Sequence, residues 1–102
     1  MIVVNVRVET DKESISNLCD AMAAMEAATR AEPGCQDYAF SVDLNDENVL
    51  RMTERWEDMP SLEAHFKTPH MATFNVALAS LKPKSVDLRC YEATEVPLPS
   101  SK

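Results

Sequence analysis

The chain is expected to be α+β, a ferredoxin-like βαββαβ antiparallel sheet that pairs with a second copy into a dimeric α+β barrel. Three observations predict this. Residues 2–9 alternate with the two-residue period of a strand, and residues 11–31 repeat at the three- and four-residue steps of a helix. Strand-like runs at 35–43 and 49–57, helical spacing up to about residue 81 and a last strand-like run at 85–94 then complete the order. Four antiparallel strands with both helices on one face is the economical topology, because each helix serves as a right-handed crossover.

The elements follow from their residues. Ile2, Val4, Val6 and Val8 alternate with Val3, Asn5, Arg7 and Glu9, which gives a strand with one strongly apolar face and points Asn5 away from the valine row. Thr10 with Glu13 has the spacing of a capping box, and Ile15, Leu18, Met22 and Met25 form the apolar stripe of a helix that Glu32-Pro33-Gly34 stops. Tyr38, Phe40 and Val42 share one face of the second strand. The polar turn 44–48 joins it in a hairpin to the third, Val49 to Glu57. Asp58 or Ser61 caps a short helix through Phe66. Thr68 and Pro69 then cap and open the next, which Lys82-Pro83-Lys84 ends near Leu81. Residues 1–95 form one domain, and 96–102 are a tail or a dimer arm. Val3 and Val49 on the helix-free face are expected to be covered by a second sheet, hence a homodimer.

At 102 residues a lone domain buries only roughly 60–70% of its unfolded surface, so dimerisation would help it. The net charge of -7 argues against nucleic acid or an anionic membrane as partner. Without an apolar run of membrane length or a leader-like start, the chain reads as cytoplasmic. Cys19, Cys35 and Cys90 form no CxxC pair and are odd in number, which makes a disulfide framework or a thiolate zinc site improbable. Gly34 is the single glycine, too few for a phosphate-cradling dinucleotide loop. His65 and His70 are five residues apart across the Pro69 break and do not align as an i,i+4 ligand pair, so no metal and no cofactor is expected.

Glu32-Pro33-Gly34-Cys35 with Tyr38, Glu54-Arg55-Trp56, and Leu62-Glu63-Ala64-His65-Phe66 followed by Thr68-Pro69-His70-Met71 resemble the antibiotic biosynthesis monooxygenase family. They look closest to its bacterial quinol monooxygenase branch. The resemblance spans nearly the whole chain and implies the dimeric α+β barrel. It implies a place among cofactor-free oxygenases, haem-degrading enzymes, isomerases of a signalling sugar, and proteins without known activity. It also implies that Asn5 and Trp56 line the pocket. The helical His that ligates haem in one branch has no counterpart at the spacing of His65 or His70.

An oxygenase without metal or flavin needs a substrate that becomes reducing on losing a proton, such as a quinol or a polycyclic phenol. The protein must then hold a flat ring, share a phenolic proton and steady the oxyanion with a neutral donor. His65 or His70 are the expected proton carriers, and Asn5 and the Trp56 indole N–H the expected donors. Tyr38, Phe66, Met71 and Phe74 are the expected walls for the ring. The expected partners are thus an aromatic small molecule and O2. The alternative is an isomerase of a small sugar-like molecule, or a non-catalytic binder, on the same barrel.

Overall fold

The computed structural model describes residues 1–100. The chain runs β1 (Ile2–Glu9), α1 (Lys12–Asn17), α2 (Cys19–Arg30), β2 (Cys35–Asp43), β3 (Asp46–Trp56), α3 (Met59–His65), α4 (Pro69–Leu78) and β4 (Ser85–Glu92). The four strands form one antiparallel sheet in the order β2-β3-β1-β4, the ferredoxin-like arrangement. Residues 93–100 carry neither helix nor strand, and residues 101 and 102 of the expected tail lie outside the described residues. Among the described residues no helix is long and apolar enough to cross a membrane.

Cross-strand register decides what each face carries. Ile2 stands opposite Trp56, Val4 opposite Glu54, Val6 opposite Met52 and Val8 opposite Leu50, so these eight residues share one side. On β2, Tyr38 faces Glu54 and Phe40 faces Met52, which extends that side. Ile15, Leu18, Met22 and Met25 from the first helical segments, with Leu62 and Phe74 from α3 and α4, bury against it. Each such side chain contributes about 1.5–3 kcal/mol on leaving water.

Two local expectations need correction. The helix over 11–31 is two helices, because the Leu18 N–H takes the tighter bond to Ile15 O at 3.0 Å and Leu18 leaves helical geometry at φ -99, ψ 0. The cap of α1 is Asp11, which accepts from the Ser14 N–H, rather than the Thr10–Glu13 box. Thr10 instead follows the end of β1, its N–H donating to Asn48 O at 2.9 Å and its hydroxyl to Leu81 O. The other two caps agree with the sequence: Asp58 accepts from Ser61 N–H, and Thr68 from Met71 N–H with Pro69 opening α4.

The helix-free face is mixed, with Val3, Ala39 and Tyr91 set among polar and charged side chains. Asn5, Arg7, Arg51, Thr53 and Arg55 project there, with ion pairs Arg7–Glu9 at 2.8 Å and Arg51–Asp43 at 3.0 Å. Of the two apolar residues expected to need a partner sheet, Val49 is already fully buried within the chain and Val3 is half-buried. Exposed apolar side chains also stand on the helix side of the edge strand β4, at Val86 and Leu88.

Gly34 joins α2 to β2 with φ +83, and a Cβ there would lie 2.2 Å from Ser61 Oγ and 2.6 Å from Ser61 Cβ, at the start of α3. Both the left-handed backbone and the contact demand glycine. We expect Gly34→Ala to cost on the order of 1–3 kcal/mol in urea denaturation. An unchanged midpoint would contradict this account of how α3 seats on the turn.

Candidate functional site

Between the sheet and its helices lies a cavity of about 520 Å³, within the range usual for small-molecule sites. Val4, Val6 and Val8 of β1 and Leu50 and Met52 of β3 form its floor, and Leu62, Phe66, Met71, Phe74 and Leu78 its helical wall. Val86, Leu88 and Cys90 of β4 close the remaining side. Tyr38 and Phe40 enter from β2, where Arg30 Nε–H donates to Tyr38 O at 2.9 Å and Phe40 N–H donates to Glu26 Oε2 at 2.8 Å. α2 thus ties down the strand edge that carries both rings. Phe40 packs edge-on to Tyr38 at 5.5 Å and against Phe74 at 5.4 Å.

One carboxylate, Glu54, lines this apolar cavity and is 4% exposed. Burial drives its pKa above the ordinary carboxylate value, against the Trp56 indole N–H, which donates to Glu54 Oε1 at 3.0 Å and favours the anion. Tyr38 lies in the same cavity. Burial pushes its phenol pKa far up, helped by the charges of Glu54 and Glu32, so the hydroxyl stays protonated through the physiological range. The site therefore pairs a carboxyl poised to take a proton with a neutral O–H able to steady an anion.

All four expected wall residues, Tyr38, Phe66, Met71 and Phe74, line the cavity. The expected catalytic four do not. Asn5 points to the opposite face, where the Thr53 hydroxyl donates to its Oδ1 at 3.1 Å, because its odd place in the β1 alternation turns it away from the valines. Trp56 is fully buried and its N–H is used on Glu54. His65, 1% exposed, stacks on Trp56 at 4.9 Å, and its Nδ1 lies 2.7 Å from Glu32 Oε2. His70 Nε2 lies 2.7 Å from the same oxygen, and its ring borders a separate groove between α2 and α4. The two histidines thus meet on a third residue, contrary to the expectation that the Pro69 break keeps them apart.

Glu54 and Glu32 are the residues that sequence reasoning missed. A signal for Glu54 existed, since Leu50, Met52, Glu54 and Trp56 fall on alternate positions of one strand and the carboxylate interrupts an apolar row. No spacing marks Glu32, which comes to His65 and His70 across 33 and 38 residues of chain.

The model of the antibiotic biosynthesis monooxygenase family matches residues 1–77. A Synechocystis protein is 28% identical over 91 residues, 89% of this chain, which spans 60% of that relative's length. The probable quinol monooxygenase YgiN of Escherichia coli is 27% identical over 86 residues, 76% of this chain and 82% of its own. A solved structure of a proposed antibiotic biosynthesis monooxygenase from Deinococcus radiodurans superposes with a TM-score of 0.85 at 25% identity. It covers 99% of this chain and 100% of that one. A Nitrosomonas europaea structure at 17% identity reaches the same score over 93% of this chain and 100% of its own, which shows the fold.

The Glu54 environment fixes a sign for stability. A carboxyl whose folded pKa exceeds its unfolded value, about 4.5, adds no penalty below that value. Its charge costs stability increasingly as pH rises through the folded pKa. Glu54→Gln keeps an oxygen for the Trp56 N–H and removes the charge. We expect the variant to gain thermal midpoint over the wild type as pH rises from about 4 toward 8. A margin that moves the other way would show that Glu54 is stabilised, not strained, as an anion.

Proposed function

The chain belongs to the antibiotic biosynthesis monooxygenase family, and from that premise we propose that it oxygenates a quinol-like or polycyclic phenol without metal or prosthetic group. The observation that carries this reading is the pairing of Glu54 with Tyr38 in an otherwise apolar cavity walled by Phe40, Phe66 and Phe74. A flat ring fits such walls, and both polar residues line the same cavity.

Glu54 takes the phenolic proton, and the phenolate formed is electron-rich enough to reduce O2. One oxygen atom enters the ring and the other leaves as water, so a hydroquinone and one O2 give a hydroxyquinone and one H2O. Tyr38 donates its hydroxyl proton in a hydrogen bond to the developing oxyanion without surrendering it. Trp56 acts through Glu54, holding the carboxylate toward the cavity. The likeness to YgiN supports a quinol as the first substrate class to assay.

Oxygen uptake with a panel of quinols tests the reading. The rate should rise with pH through the Glu54 pKa, above about 4.5, because only the ionised carboxylate can accept the proton. Glu54→Gln should lower it by roughly 10²- to 10⁴-fold and Tyr38→Phe by roughly 10²-fold, with folding kept. Conversion of a ligand with no oxygen consumed would favour an isomerase. Variants at wild-type rates would remove Glu54 and Tyr38 from the chemistry.

A further inference from the structure

Outside the cavity, three side chains of metal-ligating type converge from three separate elements. Glu32 comes from the turn after α2, His65 from the end of α3 and His70 from the first turn of α4. Their ligand atoms lie within 4.8 Å of one another, and both imidazole nitrogens sit 2.7 Å from Glu32 Oε2. We propose that Glu32, His65 and His70 form a binding site for a divalent first-row transition ion of the zinc type.

The donor set fits that chemistry. Two imidazoles and one carboxylate suit zinc and its neighbours, whereas calcium and magnesium prefer oxygen donors throughout. Three protein ligands leave a position for water. His65 is held ready: its ring packs against Trp56 at 4.9 Å and Phe66 at 5.7 Å, and its carbonyl accepts from the Thr68 hydroxyl at 2.8 Å. His70, 29% exposed, is the adjustable member. Donors about 2.0–2.2 Å from one ion stand roughly 3–3.5 Å apart, so His70 must turn inward by about an ångström. The groove of about 300 Å³ that it borders offers the ion a path. On binding, each imidazole presents a bare nitrogen to the ion and carries its proton on the other ring nitrogen; the ion competes with protons for these ligands, so affinity must fall as pH falls.

This site shares no residue with Glu54 or Tyr38, so its failure would leave the oxygenase reading standing, and the reverse. The test is titration of the chelator-treated full chain with Zn2+ by calorimetry and with Co2+ by visible absorption. The expected result is one equivalent per chain, with cobalt d–d bands and no near-ultraviolet sulfur-to-cobalt charge transfer. His70→Ala and Glu32→Gln should each weaken binding by at least about 10- to 100-fold, the usual worth of even outer partners of a metal site. Circular dichroism should show both variants folded. Should either unfold, the wild-type thermal midpoint, which must rise with added Zn2+ below equimolar thiol-blocked background, decides alone. Three results would overturn the proposal: no saturable binding, equal affinity in the folded variants, or a cobalt–sulfur band placing the ion at the cysteines. The first would leave Glu32, His65 and His70 as a hydrogen-bonded cluster only.

Discussion

Glu54 occupies a position where the alternation of β3 calls for an apolar side chain, and the rest of the site follows from how that burial is tolerated. The indole N–H of Trp56, two residues along the same face, donates to it at 3.0 Å. This hydrogen bond offsets part of the desolvation without supplying a countercharge, which leaves the carboxyl above its ordinary pKa. A positively charged partner would have quenched it. No arginine faces the cavity: Arg7, Arg51 and Arg55 all project from the other side of the sheet by the same alternation.

That constraint links packing to chemistry. Phe66, Met71 and Phe74 line the same cavity as Glu54, whose carboxyl is shielded from water at 4% exposure, so residues of the core also surround the candidate base. Exclusion of water raises the value of every remaining polar contact, including the Tyr38 hydroxyl, because charges interact more strongly in a low-dielectric pocket. Trp56 belongs to both systems. It holds Glu54 by its N–H and the ring of His65 by its face, at 4.9 Å, so the cavity and the histidine cluster lean on one side chain.

Much of this was legible in the sequence where one short-range rule acts alone. The β1 alternation and the Thr68-Pro69 start of α4 follow from periodicity and capping and are found as expected, and Tyr38, Phe66, Met71 and Phe74 line the cavity. Failures came where a longer-range contact outbid the local rule. Thr10 had capping-box spacing, yet the bond to Asn48 and the Leu81 carbonyl claimed it. The alternation of β1 turns Asn5 away from the valines, and the same alternation keeps it out of the cavity. The chemistry of Trp56 and His65 marks them in the sequence, but their full burial depends on the closed fold. Glu32 could not be found, since only the closed fold brings it to two histidines more than thirty residues away.

The central claim is that Glu54 is a strained carboxyl whose proton affinity is raised by its cavity. It is tested most directly by carbon-13 NMR titration of the side-chain carboxyl, assigned by comparison with Glu54→Gln. The account predicts a midpoint clearly above the ordinary glutamate value of 4.5, rising further in Trp56→Phe, where the N–H that favours the anion is gone. A midpoint at or below 4.5 would contradict it, because Glu54 would then be a carboxylate at ease and no better a base than one on the surface.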